Sequence, residues 1–314
     1  MNVLIVGGAG FIGANLARFC LAQPDTLVTV LDSLEPAMRA TTQNLRPIWE
    51  RIEFRRVSSL DTAALSGFVQ KADVIFNCAG QTSHPLSMQD PLLDARLNVL
   101  GTLNLLETSR LVNPAAVVVF CATSTTIGKA RAETIDEDHI ERPLEIYSAN
   151  KGVAEHYHRI YAINHGLKTV TIRLANLFGP YGKSNSEFGF MNYFISLAQA
   201  GDEIRIFGDG AQMRNVMYVE DACSALWAAA HTPSLFGKMR FAVHEEHRSV
   251  REIAEGVVAQ FGGRANFVPW PEDRKRMEVD NVRIDGAAFR AETGWRPRFS
   301  FVDGLRQLKG VIAT

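Results

Sequence analysis

The sequence predicts an α/β fold, a doubly wound parallel sheet followed by a smaller C-terminal domain. Apolar, β-branched segments alternate with segments of helical periodicity, which is typical of strands joined by crossover helices. A glycine-rich turn follows the first apolar segment, and after residue 176 the chain becomes rich in loops. The predicted strands of the sheet are residues 3–6, 27–31, 52–57, 73–79, 116–121 and 168–173.

The composition is that of a globular protein with a large core. The chain has 314 residues, of which 46% are hydrophobic, and a formal net charge of −1. This length suggests one large domain or two modest ones, and the charge argues against bulk binding of nucleic acid. No apolar run approaches the roughly 18 residues of a membrane helix, and the chain begins on a predicted strand. We therefore expect no membrane span, no signal peptide and a cytoplasmic location.

Four cysteines, Cys20, Cys78, Cys121 and Cys223, are spread along the chain. Their spacing matches no metal-binding motif, and their neighbours in the sequence are apolar. We therefore expect reduced cysteines in the core of a cytosolic protein and no metal site.

Residues 176–314 are expected to form mainly a substrate-binding domain. Residues 1–175 contain the predicted sheet, whereas the later part contains short strands, loops and a stretch rich in Arg, Pro and acids. Two apolar segments, residues 216–219 and 239–243, are predicted as strands that return to the first domain. Open α/β sheets bind ligands at the carboxyl ends of their strands, and we expect the second domain to close over that edge.

The glycine-rich turn, residues 7–13, stands between the first predicted strand and the first predicted helix. Gly7 would allow the tight turn, Gly10 would let a pyrophosphate approach the backbone, and Gly13 would let the helix pack close to the strand. The helix N-terminus would supply N–H groups and a partial positive charge for phosphates. The pattern predicts a Rossmann-type dinucleotide site, with an ordinary glycine-rich turn as the alternative.

Asp32 ends the second predicted strand, about 20 residues beyond the turn. A carboxylate in this position accepts hydrogen bonds from the adenosine ribose and repels a 2′-phosphate. Ser33, Leu34 and Glu35 follow, so no neighbouring arginine is available to pair with that phosphate. The segment therefore favours NAD over NADP, and the alternative is a plain loop carboxylate.

Tyr147 and Lys151 lie four residues apart and would share one face of a helix. A lysine ammonium held near the phenol would lower its pKa, and the tyrosine could then move a proton to or from a sugar hydroxyl. A hydroxyl at the end of the fifth strand, among residues 123–126, could bridge the substrate oxygen and Tyr147. Alone, the pair would be read as two solvated helix residues, but the glycine turn favours a catalytic role.

In these features the chain resembles the extended short-chain dehydrogenase/reductase family, in its NAD-dependent nucleotide-sugar epimerase/dehydratase branch. The resemblance covers essentially the whole chain. The motifs that carry it are Gly7-Gly8-Ala9-Gly10-Phe11-Ile12-Gly13, Asp32, Asn98-Val99-Leu100-Gly101-Thr102, Thr123 to Gly128, Tyr147 with Lys151, Arg173-Leu174-Ala175-Asn176, residues 214–221 and Gly294-Trp295-Arg296-Pro297.

The resemblance also implies a set of site residues. The family's catalytic hydroxyl falls on Thr123, with Ser124 as the alternative. Asn176 and Arg214 would hold the substrate's pyrophosphate, and a second arginine would be Arg274. The NAD site would comprise Gly7, Gly10, Phe11, Ile12, Gly13, Asp32, Ser33, Ser59, Leu60, Ala79, Gly80, Gln81, Asn98 and Lys151. His84 follows the fourth strand and is expected at the mouth of the site, in contact with substrate or as part of the loop.

Three departures from the family pattern bear on the reaction. Related 4,6-dehydratases carry an Asp-Glu pair, and decarboxylases a glutamate, where this chain has Ser124 and Thr125. The missing carboxylates argue against elimination and decarboxylation. Ile127 replaces the usual tyrosine, and Ser59 replaces an aspartate near the adenine.

The expected reaction is epimerisation of a nucleoside-diphosphate sugar, at C4, through a transient keto sugar. Tyr147 would take the hydroxyl proton while NAD takes the hydride, which then returns to the other face of the ketone. The alternatives are a nucleotide-sugar 4-ketoreductase, less favourably a 4,6-dehydratase, and a non-enzymatic dinucleotide-sensing protein. The resemblance further implies a homodimer, in which the helices predicted near residues 94–110 and 147–164 form a four-helix bundle.

Overall fold

The computed structural model describes residues 1–272 and 281–312. The strands are β1 (Asn2–Val6), β2 (Leu27–Asp32), β3 (Ile52–Arg56), β4 (Val74–Asn77), β5 (Val117–Thr123), β6 (Lys168–Leu174), β7 (Asn176–Phe178), β8 (Glu203–Phe207), β9 (Met213–Arg214), β10 (Val216–Tyr218), β11 (Met239–Ala242), β12 (Arg248–Ser249) and β13 (Arg264–Val268).

The α-helices in the described ranges complete the architecture. They are α1 (Phe11–Leu21), α2 (Thr62–Val69), α3 (His84–Gln89), α4 (Pro91–Ala95), α5 (Gly101–Val112), α6 (Ile146–His165), α7 (Phe190–Ala200), α8 (Val219–Ala230), α9 (Val250–Phe261), α10 (Ala287–Thr293) and α11 (Phe301–Ile312).

A seven-stranded parallel sheet with the order β11-β6-β5-β4-β1-β2-β3 forms the centre of the protein. Strand order reverses between β1 and β4, which are adjacent in the sheet although β2 and β3 separate them in the chain. At such a switch point the loops leave in opposite directions and open a crevice at the carboxyl ends of the strands. The predicted doubly wound α/β fold is confirmed.

Both faces of the sheet are buried, as the apolar strands predict. On β1, Val3 and Ile5 belong to a core with helices α1 and α8, whereas Leu4 and Val6 belong to a core with α2, α5 and α6. Successive residues of one strand therefore serve opposite cores, which is why the strand reads as continuously apolar.

A separate hydrophobic core lies in the later part of the chain. It gathers α7, α9 and α11 around the parallel pair β8–β13 and the pair β7–β10, with Phe178, Ile204, Ile253 and Leu305 among its buried residues. Helix α8 packs instead on α1 and on the central sheet. The chain thus passes back and forth between the two cores after β6.

Two expected elements differ from the structure. Residues 216–219 were expected to return to the first domain as a strand, but β10 pairs with β7 in a two-stranded sheet of its own, whereas β11 pairs with β6 in the central sheet. The long helix expected from residue 94 to 110 is interrupted by a π-helical turn, Arg96–Leu100, between α4 and α5. A π-turn inserts one residue and so rotates the helix faces that follow it, which a regular period does not reveal.

A buried ion pair ties α6 to β6. The Arg173 side chain is 1% exposed, and its Nε donates to both carboxylate oxygens of Glu155 at 3.1 and 2.9 Å. Its Nη2 bonds Glu141, in the loop that precedes α6. Burial raises the pKa of Glu155 to about 7, although the arginine acts in the opposite direction. The pair fixes the rotation of α6 about its axis.

Replacing Arg173 with methionine should destabilise the protein strongly, because Glu155 is left buried and uncompensated. We expect a loss of roughly 3–5 kcal/mol in the free energy of unfolding at pH 8, measured by urea denaturation. The loss should be smaller at pH 5, since the raised pKa lets Glu155 become neutral there. R173M/E155Q should regain much of the loss, and R306M, which breaks the exposed Arg306–Asp303 pair, should change little. Equal effects of R173M and R306M would contradict the role of the buried pair.

Candidate active site

A cleft of about 590 Å³ opens at the carboxyl edge of the sheet. Its walls are the glycine turn after β1, the ends of β2, β4 and β5, the start of α6, and the loops that follow β6 and β7. Of the residues predicted for the site, those on this wall are Gly7, Gly10, Phe11, Ile12, Gly13, Asp32, Ser33, Ser59, Ala79, Gly80, His84, Thr123, Ser124, Tyr147 and Asn176.

The glycine turn has the geometry that a dinucleotide requires. Gly7 has a φ of +81°, and a Cβ there would stand 2.5 Å from the backbone of Ala79. A Cβ on Gly13 would stand 2.4 Å from the Gly7 carbonyl oxygen, so the helix lies tightly against the turn. At Gly10 the nearest such contact is 3.4 Å, and within the described residues no side chain caps the first turn of α1. The amides of that turn can therefore donate hydrogen bonds to a phosphate, and the pyrophosphate of NAD fits this cradle.

Asp32 is oriented by the backbone. Its carboxylate accepts hydrogen bonds from the amides of Ala9 at 3.0 Å and Leu34 at 2.8 Å, and burial raises its pKa. Lys183 acts on this carboxylate from the loop after β7, and its Nζ donates to the Met38 carbonyl at 2.6 Å. Burial lowers the pKa of Lys183 to about 8. This lysine was not foreseen, because the second core brings it to Asp32 from far along the chain.

Tyr147 and Lys151 lie on the buried face of α6, beside the end of β5. Burial raises the pKa of Tyr147 well above its usual value, and a hydrogen bond from the Thr123 side chain opposes the shift. Lys151 donates from Nζ to the Cys121 carbonyl at 2.8 Å and lies 4.0 Å from the centre of the Phe120 ring. Burial therefore sets the net direction of the Tyr147 pKa, and the lowering expected from Lys151 stays a prediction.

A chain of polar side chains continues from Thr123 along the wall. The hydroxyls of Thr123 and Thr125 are 3.1 Å apart, and Ser148 Oγ lies 2.7 Å from Thr125 and 2.9 Å from Glu145 Oε1. The Glu145 carboxylate bonds His84 Nδ1. The sequence analysis did not single out Glu145 and Ser148. They stand three residues apart on either side of Tyr147, Glu145 directly before α6 and Ser148 in its first turn, and this spacing is a signal that the sequence carries.

Three other predicted cofactor residues lie behind or beside the cleft wall. Gln81 is fully buried and donates to Asp94 at 2.8 Å, and Asn98 donates to Asp94 at 3.1 Å. Asn98 Oδ1 has no hydrogen-bond partner within residues 1–272 and 281–312, and it stands so close to Gly80 that a Cβ there would lie 2.2 Å away. Leu60 follows the serines of the cleft wall, and its amide donates to Ser58 at 3.2 Å.

The residues predicted for the substrate's pyrophosphate are dispersed. Asn176 lies on the cleft wall and donates to the Asn215 carbonyl at 3.0 Å. Arg214 lies on β9, which pairs with β12, and it does not line the cleft. Arg274 lies outside the described residues. The structure therefore brings Asn176 to the cleft, and the pyrophosphate role of Arg214 stays a prediction.

In the part of the chain that the structure describes, no three His, Cys, Asp or Glu side chains come together to hold a metal ion. None of the helices described there is both long and apolar enough to cross a bilayer.

The fold and the site define an enzyme of the Rossmann type, in which a dinucleotide cradle faces a buried tyrosine and lysine and a half-buried threonine. The chain matches the NAD dependent epimerase/dehydratase family over residues 3–240. It belongs to that family, which confirms the resemblance drawn from its motifs and makes NAD its cofactor.

Named relatives extend over nearly the full chain. The UDP-glucose 4-epimerase of Mycolicibacterium smegmatis is 31% identical, over 97% of this chain and 96% of its own. The CDP-paratose 2-epimerase of Salmonella typhi is 30% identical over 98% of each chain. Among solved structures, UDP-glucose 4-epimerase of Thermus thermophilus in complex with NAD is 29% identical and superposes with a TM-score of 0.84, over 98% of this chain and 97% of that one.

Replacing Asp32 with alanine should weaken NAD binding and narrow the discrimination against NADP, because a buried hydrogen-bond acceptor and the negative charge that repels a 2′-phosphate are both lost. Calorimetry of the NAD-free protein with each dinucleotide measures both effects. E53A, which removes an acid from the neighbouring strand β3, serves as the control. A wild-type protein that binds NADP more tightly than NAD would contradict the role of Asp32.

Proposed function

We propose that this chain inverts the C4 centre of a nucleoside-diphosphate sugar by NAD-dependent oxidation and reduction. The observation that carries the proposal is the placement of Tyr147 and Thr123 at the end of β5, on the same cleft as the glycine turn and Asp32. Membership of the family and the epimerases among the named relatives support it. The second core would supply the substrate side of the cleft.

The residues of this chain have separable roles in that reaction. The glycine turn and Asp32 would hold NAD, which when bound supplies a hydride acceptor whose positive charge favours the nearby phenolate. Thr123 would orient the sugar hydroxyl, with Ser124 as its neighbour on the wall. Tyr147 would take the hydroxyl proton and return it to the ketone oxygen, and its raised pKa favours the protonated phenol from which that second step starts. Lys151 would keep a positive charge on the buried side of the site.

The composition of the wall supports epimerisation over elimination. Positions 124 and 125 carry hydroxyls in place of the acids that drive loss of water. Glu145 contributes a carboxylate nearby, but it is bonded to Ser148 and His84 at the rim. Tyr147 and Lys151 are both retained and buried, which favours an enzyme over a dinucleotide sensor. Asn176, Arg214 and Arg274 remain our candidates for the pyrophosphate, since guanidinium groups suit such a ligand.

The proposal is tested by the cofactor and the product together. Mass spectrometry of the purified protein should detect bound NAD. NMR should follow the conversion of UDP-glucose and then of a panel of other UDP-, CDP-, GDP- and dTDP-sugars. We expect a C4 epimer with no net change in NAD or NADH. A 4-ketoreductase would instead consume NADH in proportion to product, and a dehydratase would release a 6-deoxy-4-keto sugar.

Replacing Tyr147 with phenylalanine should lower kcat by roughly 10²–10⁴-fold, the effect of losing a general acid and base. The ring remains, so packing and the Kd for UDP should be largely kept. Steady-state epimerisation and calorimetry with UDP measure the two quantities. Near wild-type turnover would remove Tyr147 from the mechanism.

We further propose that the chain forms a homodimer through a four-helix bundle. Helices α5 and α6 pack together, and the helical segment from α4 to α6 exposes large apolar residues, which are Leu92, Leu100, Leu111, Val153, Ile160 and Ile163. Leu106 and Tyr161 of the same helices are turned into the core under the sheet. Each helix thus has a second apolar stripe that a two-fold copy would cover.

Light scattering at micromolar concentration should give the mass of a dimer for the wild-type protein. I163E, at a side chain that is 66% exposed on α6, should shift the mass to a monomer because a charge would be buried in the bundle. V302E makes the same change at an exposed valine on α11 and should remain a dimer. A strictly monomeric wild-type protein would reject this assembly.

A further inference from the structure

A row of hydrogen-bonding side chains leads from Thr123, beside Tyr147, to the rim of the cleft. It runs from Thr123 to Thr125 and Ser148, and ends at Glu145 and His84. Tyr147 and Thr123 line the same cleft, and the Thr123 side chain lowers the pKa of the phenol against the effect of burial. The oxygen–oxygen separations from Thr123 to Glu145 are 3.1, 2.7 and 2.9 Å, which are hydrogen-bond distances. Each of the three hydroxyls can donate one proton and accept another, which is the property that a proton path needs.

The row is buried at Ser148 and open to solvent at His84. Ser148 is 1% exposed, whereas the His84 side chain is 37% exposed and lies on the cleft wall. The edge of the His84 ring also meets Tyr147, with the ring centres 4.9 Å apart. Thr123 and Thr125 are half-buried and line the cleft, where a bound cofactor and sugar would cover them, so the terminal imidazole is the member of the row that can still exchange protons with solvent.

Ser148 is the residue at which the direction of the hydrogen bonds along the row can reverse. Its hydroxyl has one hydrogen but two acceptors within reach, Thr125 Oγ1 and Glu145 Oε1. Bonding to the carboxylate is the stronger choice, because an ionised acceptor strengthens a hydrogen bond. When Glu145 carries a proton, that preference disappears and Ser148 can donate toward Thr125 and Tyr147.

The lysine side of Tyr147 ends differently. Lys151 Nζ donates to the Cys121 carbonyl, which has no proton to pass on. Asp94, a buried acid on that side, accepts from the amides of Gln81, Asn98 and Asn150. Side-chain amides hold a carboxylate in place but do not transfer protons readily, so the hydroxyl row is the better conducting route.

We propose that Glu145 and His84 form a proton port for Tyr147, connected to it through Ser148, Thr125 and Thr123. In the inward direction His84 takes a proton from solvent at its exposed nitrogen and gives the Nδ1 proton to Glu145. Glu145 passes a proton to Ser148, and each hydroxyl gives its own hydrogen to the next oxygen and receives one from behind. One proton leaves solvent and one O–H bond forms on the Tyr147 phenolate.

The port affects which reactions the site can perform. This inference rests on the proposed function. Epimerisation returns the same proton to the substrate, so Tyr147 needs no exchange with solvent in a complete cycle. Reduction of a ketone to an alcohol consumes one hydride and one proton, and Tyr147 must be reprotonated after each turnover. A protein with this port is equipped for one-way reduction of a keto sugar by added NADH as well as for epimerisation.

The experiment compares the two reactions in the same variants. Epimerisation of UDP-glucose and NADH-dependent reduction of UDP-4-keto-6-deoxy-D-glucose are measured for the wild-type protein and for T125V, S148A, E145Q and H84A. We expect the rate of reduction to fall at least about tenfold more than the rate of epimerisation. This is less than the roughly 10²–10⁴-fold effect of removing an acid–base group itself, because Tyr147 is kept. Added imidazole should restore reduction in H84A. Proton NMR should show an imidazole N–H resonance that E145Q removes, which checks the His84–Glu145 pair without any turnover.

T126V is the matched control, because Thr126 is a neighbouring buried hydroxyl that bonds the Thr123 carbonyl and lies outside the row. It should leave the ratio of the two activities unchanged. Equal losses of both activities in the row variants, or no rescue of H84A by imidazole, would overturn the port. Absence of epimerisation in the wild-type protein would instead refute the proposed function, so the two failures are distinguishable.

Discussion

The polar face of α6, buried against β5 and β6, is the constraint on which the site depends. Tyr147, Lys151 and Glu155 follow one another at intervals of four residues and are all buried. A charge in such a place must have a partner, so Lys151 is tied to the Cys121 carbonyl and Glu155 to Arg173. These bonds fix the rotation and depth of the helix, and they thereby place the phenol at the end of β5.

The cleft depends on a second constraint, the return of the chain from the smaller core. The loop after β7 lies against the first helix and the loop after β2, through Asn15 to the Pro180 carbonyl at 2.9 Å, Arg18 over the Tyr181 ring at 4.0 Å, and Lys183 to Met38. These contacts bring the loop over the end of the cleft that Asp32 lines. A dinucleotide held there would be enclosed by side chains from both cores, which suits a cofactor that is regenerated within each cycle.

The chemistry of the cleft follows from a division between its two sides. The glycine turn offers backbone amides and open space, and α6 offers a phenol whose proton is held firmly by burial. The hydroxyl groups of Thr123, Ser124 and Thr125 fill the wall between them. Such a wall can orient and relay protons, but it has no carboxylate at positions 124 and 125 to pull a proton from carbon.

Local patterns were sufficient to predict the parallel sheet, the glycine turn, the place of Asp32 at the end of β2, and the helix face that Tyr147 and Lys151 share, because each depends on spacing along a strand or helix. Four outcomes depended on contacts between distant segments. They are the pairing of β10 with β7, the arrival of Lys183 beside Asp32, the raised pKa of Tyr147, and the row from Thr123 to His84. Burial and hydrogen-bond partners across the fold set these properties, and neither quantity is encoded in the neighbouring residues of the chain.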